Sequence, residues 1–402
     1  MDLLVIGAGP VGRALAGGWS AAGHAVTLAV RDPAAARHDT YRATHRLVAA
    51  RSLPSADITV LAVPGDQLPA VLEANGRQLD GRLLTDATNT MGAARLHQLP
   101  LLTRRLPAAR VYRAFTTTGW ENFAPEVAGE RPDLFYAGPD TPDRQVIETL
   151  IADIGPRPLW AGAGPDAADR LDALAQLWFA LALRRGLGRH LALRVLAGVA
   201  EPTPVAAVAP RAVTIVGRGR IGRALGDAWT GAGHHVTYAV RGAVNDTPSP
   251  DGSTVRNVAA ALAASDIVVL AVPGAAVATL LREHGETLRG RLLIDATNGA
   301  AGDTAAAAAT VRARYARAFN TLGVENLRSP RITGTPADMI FTAPDPDRRI
   351  VAELITAAGL RPVWLPAGSE PIVNGLLPVW IALAATHGRH LAWRVLTDNP
   401  EL

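Results

Sequence analysis

The chain contains no cysteine, and all 40 of its basic residues are arginine; lysine is absent. Without thiols there are no disulfides, no thiolate nucleophile and no cysteine-ligated iron–sulfur cluster. Without an amine side chain, Schiff-base and pyridoxal-phosphate chemistry are excluded. So is a P-loop NTPase, whose lysine reaches the phosphates. The formal charge is only +4, and the pI near 10.0 reflects arginine standing in for lysine. No basic cluster interleaved with aromatics points to nucleic acid, and no histidine–carboxylate spacing points to a metal. The most apolar stretch, Ala173–Leu183, is far shorter than the ~20 residues that span a bilayer. An apolar run already begins at Leu3, so we expect no signal peptide, no membrane association and a soluble cytoplasmic protein.

What the chain does contain, it contains twice. LLVIGAGPVGRALAGGWSAAGHAVTLAV at 3–30 returns as VTIVGRGRIGRALGDAWTGAGHHVTYAV at 213–240. AVPG at 62–65 returns at 271–274, and LLTDATN at 83–89 returns as LLIDATN at 292–298. RAFTTTGWENF at 113–123 returns as RAFNTLGVENL at 317–327, and GRHLALRVL at 188–196 as GRHLAWRVL at 388–396. A repeat of about 200 residues is a tandem pair of domains, since solenoid periods run roughly 20–50.

Each copy opens with a short apolar strand, a glycine-rich turn and a helical pattern (Val11 to Ala22 in copy one), then a second strand at Ala25–Val30. Ile58–Val63 is an unbroken apolar run of the parallel-sheet kind, and Leu83–Thr85 and Arg110–Ala114 look like further strands. Alternating strands and helices predict a doubly wound parallel α/β sheet in each copy. A Leu/Ala-rich segment then predicts a small helical tail. The expected layout is unit one at 1–198 (nucleotide-binding 1–160, helical tail 166–197), a Pro/Ala-rich linker at 199–211, and unit two at 212–402 (nucleotide-binding 212–365, helical tail 370–397). The apolar tails suggest two Rossmann units arranged as a pseudodimer, with further oligomerisation open.

The turns Gly7-Ala-Gly9-Pro10-Val11-Gly12 and Gly217-Arg218-Gly219-Arg220-Ile221-Gly222 fit G-x-G-x-x-G, each after a strand and opening a helix. The first glycine makes the turn, the second lets backbone approach a pyrophosphate, and the third packs helix on strand. The second strand ends in Arg31 and Arg241, where an acidic residue would bond the ribose diol of NAD; arginine suits the 2′-phosphate of NADP. Asp32 argues mildly the other way, while Arg37 and, in copy two, Arg218 could add charge to that site. Val63-Pro64 and Val272-Pro273 close a strand at the ligand-facing edge of such a sheet. Asn89 and Asn298 follow another strand end and could bond the ribose or the nicotinamide carboxamide, or simply form Asx-turns.

Taken in order, GxGxxG, AVR, AVPG, DATN, RAF(N/T)T-L/T-G-x-EN and GRHLA-RVL resemble the coenzyme F-420-dependent NADP oxidoreductase family over essentially all of each copy. The resemblance implies an NADP-dependent oxidoreductase that binds NADP(H) on the sheet and passes a hydride directly to or from a second redox partner. That partner is coenzyme F-420 (a deazaflavin) or a small organic imine, enone or ketone. It implies no firm catalytic acid or base. The positioning candidates are Asn320, Asn298 and Asn89, and the expected substrate pocket is Thr116, Trp120, Trp178, Asn320 and Trp380. Copy two keeps Asn320 where copy one has Thr116, and has Val324 where copy one has Trp120. On the strength of Asn320 and its two loop arginines, copy two is expected to carry the principal hydride site. Two other readings stand beside this one: a non-catalytic NADPH sensor or scaffold, and a pair with one catalytic and one structural half. Trp178 and Trp380 also read as core residues. Glu121 and Glu325 read as turn-stabilising or as proton donors, and His190 and His390 as packing or surface histidines or, paired across the copies, as residues that could reach a substrate.

Overall fold

The computed structural model describes residues 1–202, 209–242, 249, 251–298 and 304–402. Contacts divide the chain into two compact units, Met1–Arg194 with Val395–Glu401, and Val195–Arg394 with Leu402. The division falls inside the segments 191–197 and 391–397 instead of at the expected linker. The start of that linker is itself structured, since Ala200–Glu201 pairs antiparallel with Arg331–Ile332. Residues 203–208 of it lie outside the described residues.

In the first unit, β1 (Asp2–Ile6), β2 (Ala25–Val30), β3 (Arg46–Ala49), β4 (Ile58–Leu61), β5 (Leu83–Asp86) and β6 (Arg110–Arg113) form one parallel sheet. Its order is β3-β2-β1-β4-β5-β6. This is the doubly wound Rossmann order, which reverses beside β1 and leaves a ligand crevice there. The unbroken apolar runs follow from burial on both faces. Leu3 and Val5 pack with Trp19, Leu28 and Val60 on one side. Leu4 and Ile6 pack with Leu61, Leu68 and Leu72 on the other. The indole of Trp19 donates to the carbonyl of Leu150 at 2.8 Å, and Trp229 repeats this in the second unit with Leu354, also at 2.8 Å. Each buried tryptophan thereby satisfies its one donor.

The second unit repeats the parallel core, with Ala212–Val216 between His235–Val240 and Ile267–Leu270. Its sheet continues through Leu292–Asp295 and Arg314–Arg317 to an antiparallel neighbour, Asp338–Ala343, and then Arg361–Pro366. In the first unit the counterparts of these last two, β7 (Asp133–Tyr136) and β8 (Arg157–Trp160), pair in parallel, and Arg113 bridges Ala137 antiparallel.

The expected helical tails are only partly helical. Pro165–Phe179 is an α-helix continued by a wider π-helical turn, Ala180–Arg184. The chain then becomes a strand, β9 (Leu191–Ala197), which runs antiparallel to β7 with Leu193 opposite Asp133. In the second unit Glu370–His387 is helical and Leu391–Thr397 is a strand. Gly186 and Gly188 (φ +77° and +89°) and Gly388 (φ +82°) take backbone angles that a helix cannot continue through. No helix among the described residues is long and apolar enough to cross a membrane.

His38 and His234 are buried with Nε2 unpartnered. Both are held below the ordinary histidine value of 6.5, first by burial and next by Arg37 and by Arg211 respectively. Below pH 6.5 the unfolded chain therefore binds more protons than the native one, and stability falls as pH falls toward the depressed native values. Denaturation midpoints at about pH 7.5 and about pH 5.5 should show this loss, and it should shrink in a His38→Gln/His234→Gln double variant. Equal pH dependence in the two proteins would contradict it.

Candidate functional site

The two glycine turns are built alike. Gly7 has φ +114°, and a Cβ there would lie 2.4 Å from the Ala62 carbonyl oxygen; Gly217 has φ +104°, with Ala271 O at 2.6 Å. A Cβ on Gly12 would sit 2.1 Å from Gly7 O, and one on Gly222 would sit 2.2 Å from Gly217 O. These four glycines are therefore demanded by the protein's own packing. Gly9 and Gly219 differ: a Cβ at either meets nothing within 4 Å. Each caps the following helix (Pro10–Ala21 and Arg220–Gly231), whose first N–H groups have no side-chain partner. The middle glycine leaves room at the positive end of a helix dipole, the environment a pyrophosphate needs.

Beside the first loop lies a cavity of about 490 Å³ lined by Gly7, Gly9, Val30, Val63, Pro64 and Asn75, among others. Arg31, Arg37 and Arg51 also line it. All three are exposed, and none has a hydrogen-bond or ion-pair partner among the described residues. Asp32 does not belong to this wall, because its Oδ1 accepts from Ala34 N at 3.0 Å in a local turn. Arg51 and His38 were not expected here. Arg51 arrives because β3, a strand the sequence pattern did not announce, pairs with β2 so that Ala49 stands opposite Val30. The loop after β3 is thereby set beside Arg31.

The second loop's arginines are committed elsewhere. The guanidinium of Arg218 lies 5.1 Å from the centre of the Tyr238 ring and 4.0 Å from Asp251 Oδ2. Burial, with Asp227 and Asp251 nearby, pushes the Tyr238 hydroxyl up to about 12. Arg220 reaches Glu325 at 3.4 Å. Arg241 is exposed at its strand end, Ile221 is half-buried, and Val272 packs 3.0 Å from the Cβ position of Gly217, with Pro273 exposed beyond it. Residues 243–248 after Arg241 lie outside the described residues.

At the C-terminal ends of β5 and β6 the chain forms a buried polar knot. Arg113, 2% exposed, bonds Asp86 Oδ2 at 2.9 Å, Thr88 O at 2.7 Å, Asn89 Oδ1 at 2.6 Å and Asp172 Oδ1 at 3.0 Å. Asn89 also donates to Thr116 O at 3.1 Å, so both ends of its amide have partners within the protein. Asp172 Oδ2 accepts from the backbone N–H groups of Leu96 and His97. His97, Asp169 and Asp172 have metal-ligating atoms close together. Both Asp172 oxygens already accept protein hydrogen bonds, and His97 Nε2 bonds Asp169 at 3.1 Å. In the second unit Arg317 bonds Asp295 at 3.0 Å and Asn374 at 2.8 Å. Asn298 is exposed at the edge of the described residues.

After these polar clusters both units take the same strained step: Phe115 and Phe319 have φ +63° and +65°, unusual for bulky residues. Edge-to-face packing of Phe115 on Trp19 (5.5 Å) and Phe319 on Trp229 (5.7 Å) holds them there. Such strain clusters at functional positions. The next residues, Thr116 and Asn320, are buried with Oγ1 and Oδ1 unpartnered, although Asn320 Nδ2 lies 3.4 Å from Asn374. Trp120 is 40% exposed. Trp178 and Trp380 are core residues whose indoles donate to Leu191 O and Leu391 O, which removes them from the expected substrate pocket. Glu121 and Glu325 clasp Arg189 and Arg389, and Arg389 holds the Glu325 carboxyl below its usual range. These carboxylates are latches, not proton donors.

Gly9→Val should leave the fold intact and abolish nucleotide binding at the first loop, whereas Gly12→Val should destabilise the protein by at least the roughly 1–3 kcal/mol of an overpacked core. Denaturation curves alongside nucleotide titration separate the two, and equal stability losses would contradict the assignment. Arg113→Met strands two buried carboxylates and should cost about 3–5 kcal/mol. A change under about 1 kcal/mol in urea unfolding would show that the knot carries little.

Residues 2–90 and 212–299 match the family model described as NADP oxidoreductase, coenzyme F420-dependent. Among solved structures, a protein described as an F420-dependent NADP-reductase from Arthrobacter sp. FB24 is 24% identical, covering 47% of this chain and 96% of that one, with a TM-score of 0.42. A Streptomyces aurantiacus imine reductase is 23% identical over 47% of this chain and 69% of its own, at TM-score 0.35. A pyrroline-5-carboxylate reductase from Coxiella burnetii is 19% identical over 46% and 69%, also at 0.35. No curated protein matches the sequence. The two matched stretches each lie on their own glycine loop and parallel sheet, so the chain carries twice the sequence pattern of the coenzyme F420-dependent NADP oxidoreductase family model.

Proposed function

We propose that the enzyme transfers a hydride between NADP(H) and a small conjugated acceptor, with coenzyme F420 the acceptor the family favours and a small imine, enone or ketone the other candidate. The carrying observation is the convergence of Arg31, Arg37 and Arg51, without acidic partners, on the cavity beside the first glycine loop. That charge suits a ribose phosphate and leaves no carboxylate to bond a free diol.

The bound dinucleotide supplies the hydride. The chain's own residues bind and orient it: the Gly9 backbone and the helix starting at Pro10 take the pyrophosphate, and the arginines take the 2′-phosphate. The buried polar atom of Thr116 or Asn320 is a positioning group at the strand ends. Holding donor and acceptor at near-attack distance is the main contribution such a site makes. The first unit is the principal NADP(H) site in this reading, contrary to the expectation drawn from Asn320, because Arg218 and Arg220 already have protein partners.

Each arginine–phosphate contact is worth roughly 1.5–3 kcal/mol, or about ten- to a hundredfold in affinity. Arg51→Ala should therefore weaken NADPH binding by about tenfold or more and leave NADH nearly unchanged. Stopped-flow mixing of the NADPH-loaded enzyme with oxidised F420, and separately with cyclic imines, should show NADPH oxidation with one of them. Gly9→Val should abolish that turnover and Gly219→Val spare most of it. Tighter binding of NADH than NADPH, or turnover lost only with Gly219→Val, would reverse the reading.

A further inference from the structure

The same cavity holds a side chain that nothing above employs. His38 ends the turn Ala36–His38 and is among the residues that line the cavity with Arg31, Arg37 and Arg51. It is 6% exposed, and its Nε2 has no hydrogen-bond partner. A buried polar atom without a partner is costly unless something satisfies it. The charged groups facing it are Arg37, Arg42 and Arg13, with Asp32 opposing them. Arg13 lies over the Tyr41 ring, and Arg42 bonds Asp39 and the Pro33 carbonyl. The ring therefore sits in a cationic surround, which a bound dianion would change more than any other ligand. Copy two has no histidine between Arg241 and Asp266.

Resting on the reading that this cavity takes the adenosine end of NADP(H), we propose that His38 is a specificity-determining residue for the ribose phosphate. When the phosphate binds, the imidazole takes up a proton from solvent and donates Nε2–H to a phosphate oxygen. In the free protein, burial and the neighbouring arginines keep the ring neutral at pH 7. The phosphate supplies the missing counter-charge, so binding and protonation favour each other. Affinity for the phosphorylated ligand rises as pH falls from neutrality toward the second phosphate pKa of about 6, below which the phosphate itself loses charge. Arginines alone would act in the opposite sense, because they favour the dianion and so expel protons on binding.

The probes are 2′-AMP, which carries the phosphate in question, and 5′-AMP, which does not. Both are titrated calorimetrically into the full-length chain carrying Gly219→Val, in buffers of different ionisation enthalpy between about pH 6 and about pH 8. Binding of 2′-AMP to this protein should take up more protons than binding to the same protein with His38→Gln, which keeps an N–H donor but cannot gain a proton. His38→Leu should weaken 2′-AMP by about tenfold and 5′-AMP by less than about twofold, with NADPH and NADH following the same split. Identical proton uptake with and without His38→Gln overturns the proposal, as does equal weakening of both nucleotides by His38→Leu. Should His38→Leu fail to fold, the comparison with His38→Gln decides alone. Failure of 2′-AMP to bind at all refutes the cavity reading itself, an outcome distinct from binding that ignores His38.

Discussion

A buried guanidinium organises the working end of each sheet. Arg113 is out of water and ties together the ends of β5 and β6, the Asn89 turn and the helix Pro165–Phe179 through Asp172. A charge in that position is tolerable only because every partner is present at once. The helix is thus bound to the strand ends where Thr116 follows. The second unit solves the same problem with different groups. Asn374 replaces Asp172, and Tyr315 donates to Asp295 at 2.8 Å where copy one has only Val111. That bond, desolvation and the Asp295 charge push the Tyr315 hydroxyl well above its ordinary value. One guanidinium between two carboxylates in the first unit thus becomes, in the second, one guanidinium with one carboxylate and an amide.

The glycine loops show how packing and binding divide one motif. Gly7 and Gly12 are fixed by contacts within the protein, and Gly9 by the space it leaves open. Duplication copied that division faithfully, since Gly217, Gly222 and Gly219 meet the same surroundings. The surroundings of the loop among the described residues were not copied. Three arginines without partners line the first cavity, while the second loop's own arginines lie on an aromatic ring and on carboxylates. The repeats share an architecture and differ in the electrostatics around their glycine loops.

The motifs of highest similarity between the copies are not all functional. GRHLA and the EN turn recur because Arg189 clasps Glu121 and Arg389 clasps Glu325, with Asn122 and Asn326 bonding the backbone at residues 189 and 391. Trp178 and Trp380 complete this latch through their indole N–H groups. Repetition marks what the fold needs as firmly as what a ligand needs.

By itself the sequence determined the duplication, the parallel sheet and the phosphate loop. Each of these is encoded locally, in an apolar run or a glycine spacing that permits one conformation. It also placed Arg31 and Arg37 beside the first glycine loop, since both follow the second strand closely. Only tertiary structure decided that Arg51 joins them, because strand pairing between Val30 and Ala49 brings together residues about twenty positions apart, and that His38 is buried beside them. It likewise turned the tail segments at 191–197 and 391–397 into strands, and gave Asn89, Trp178 and Glu121 partners within the protein. Those outcomes depend on which partner each polar atom finds across the fold, and a linear pattern of residues does not record that.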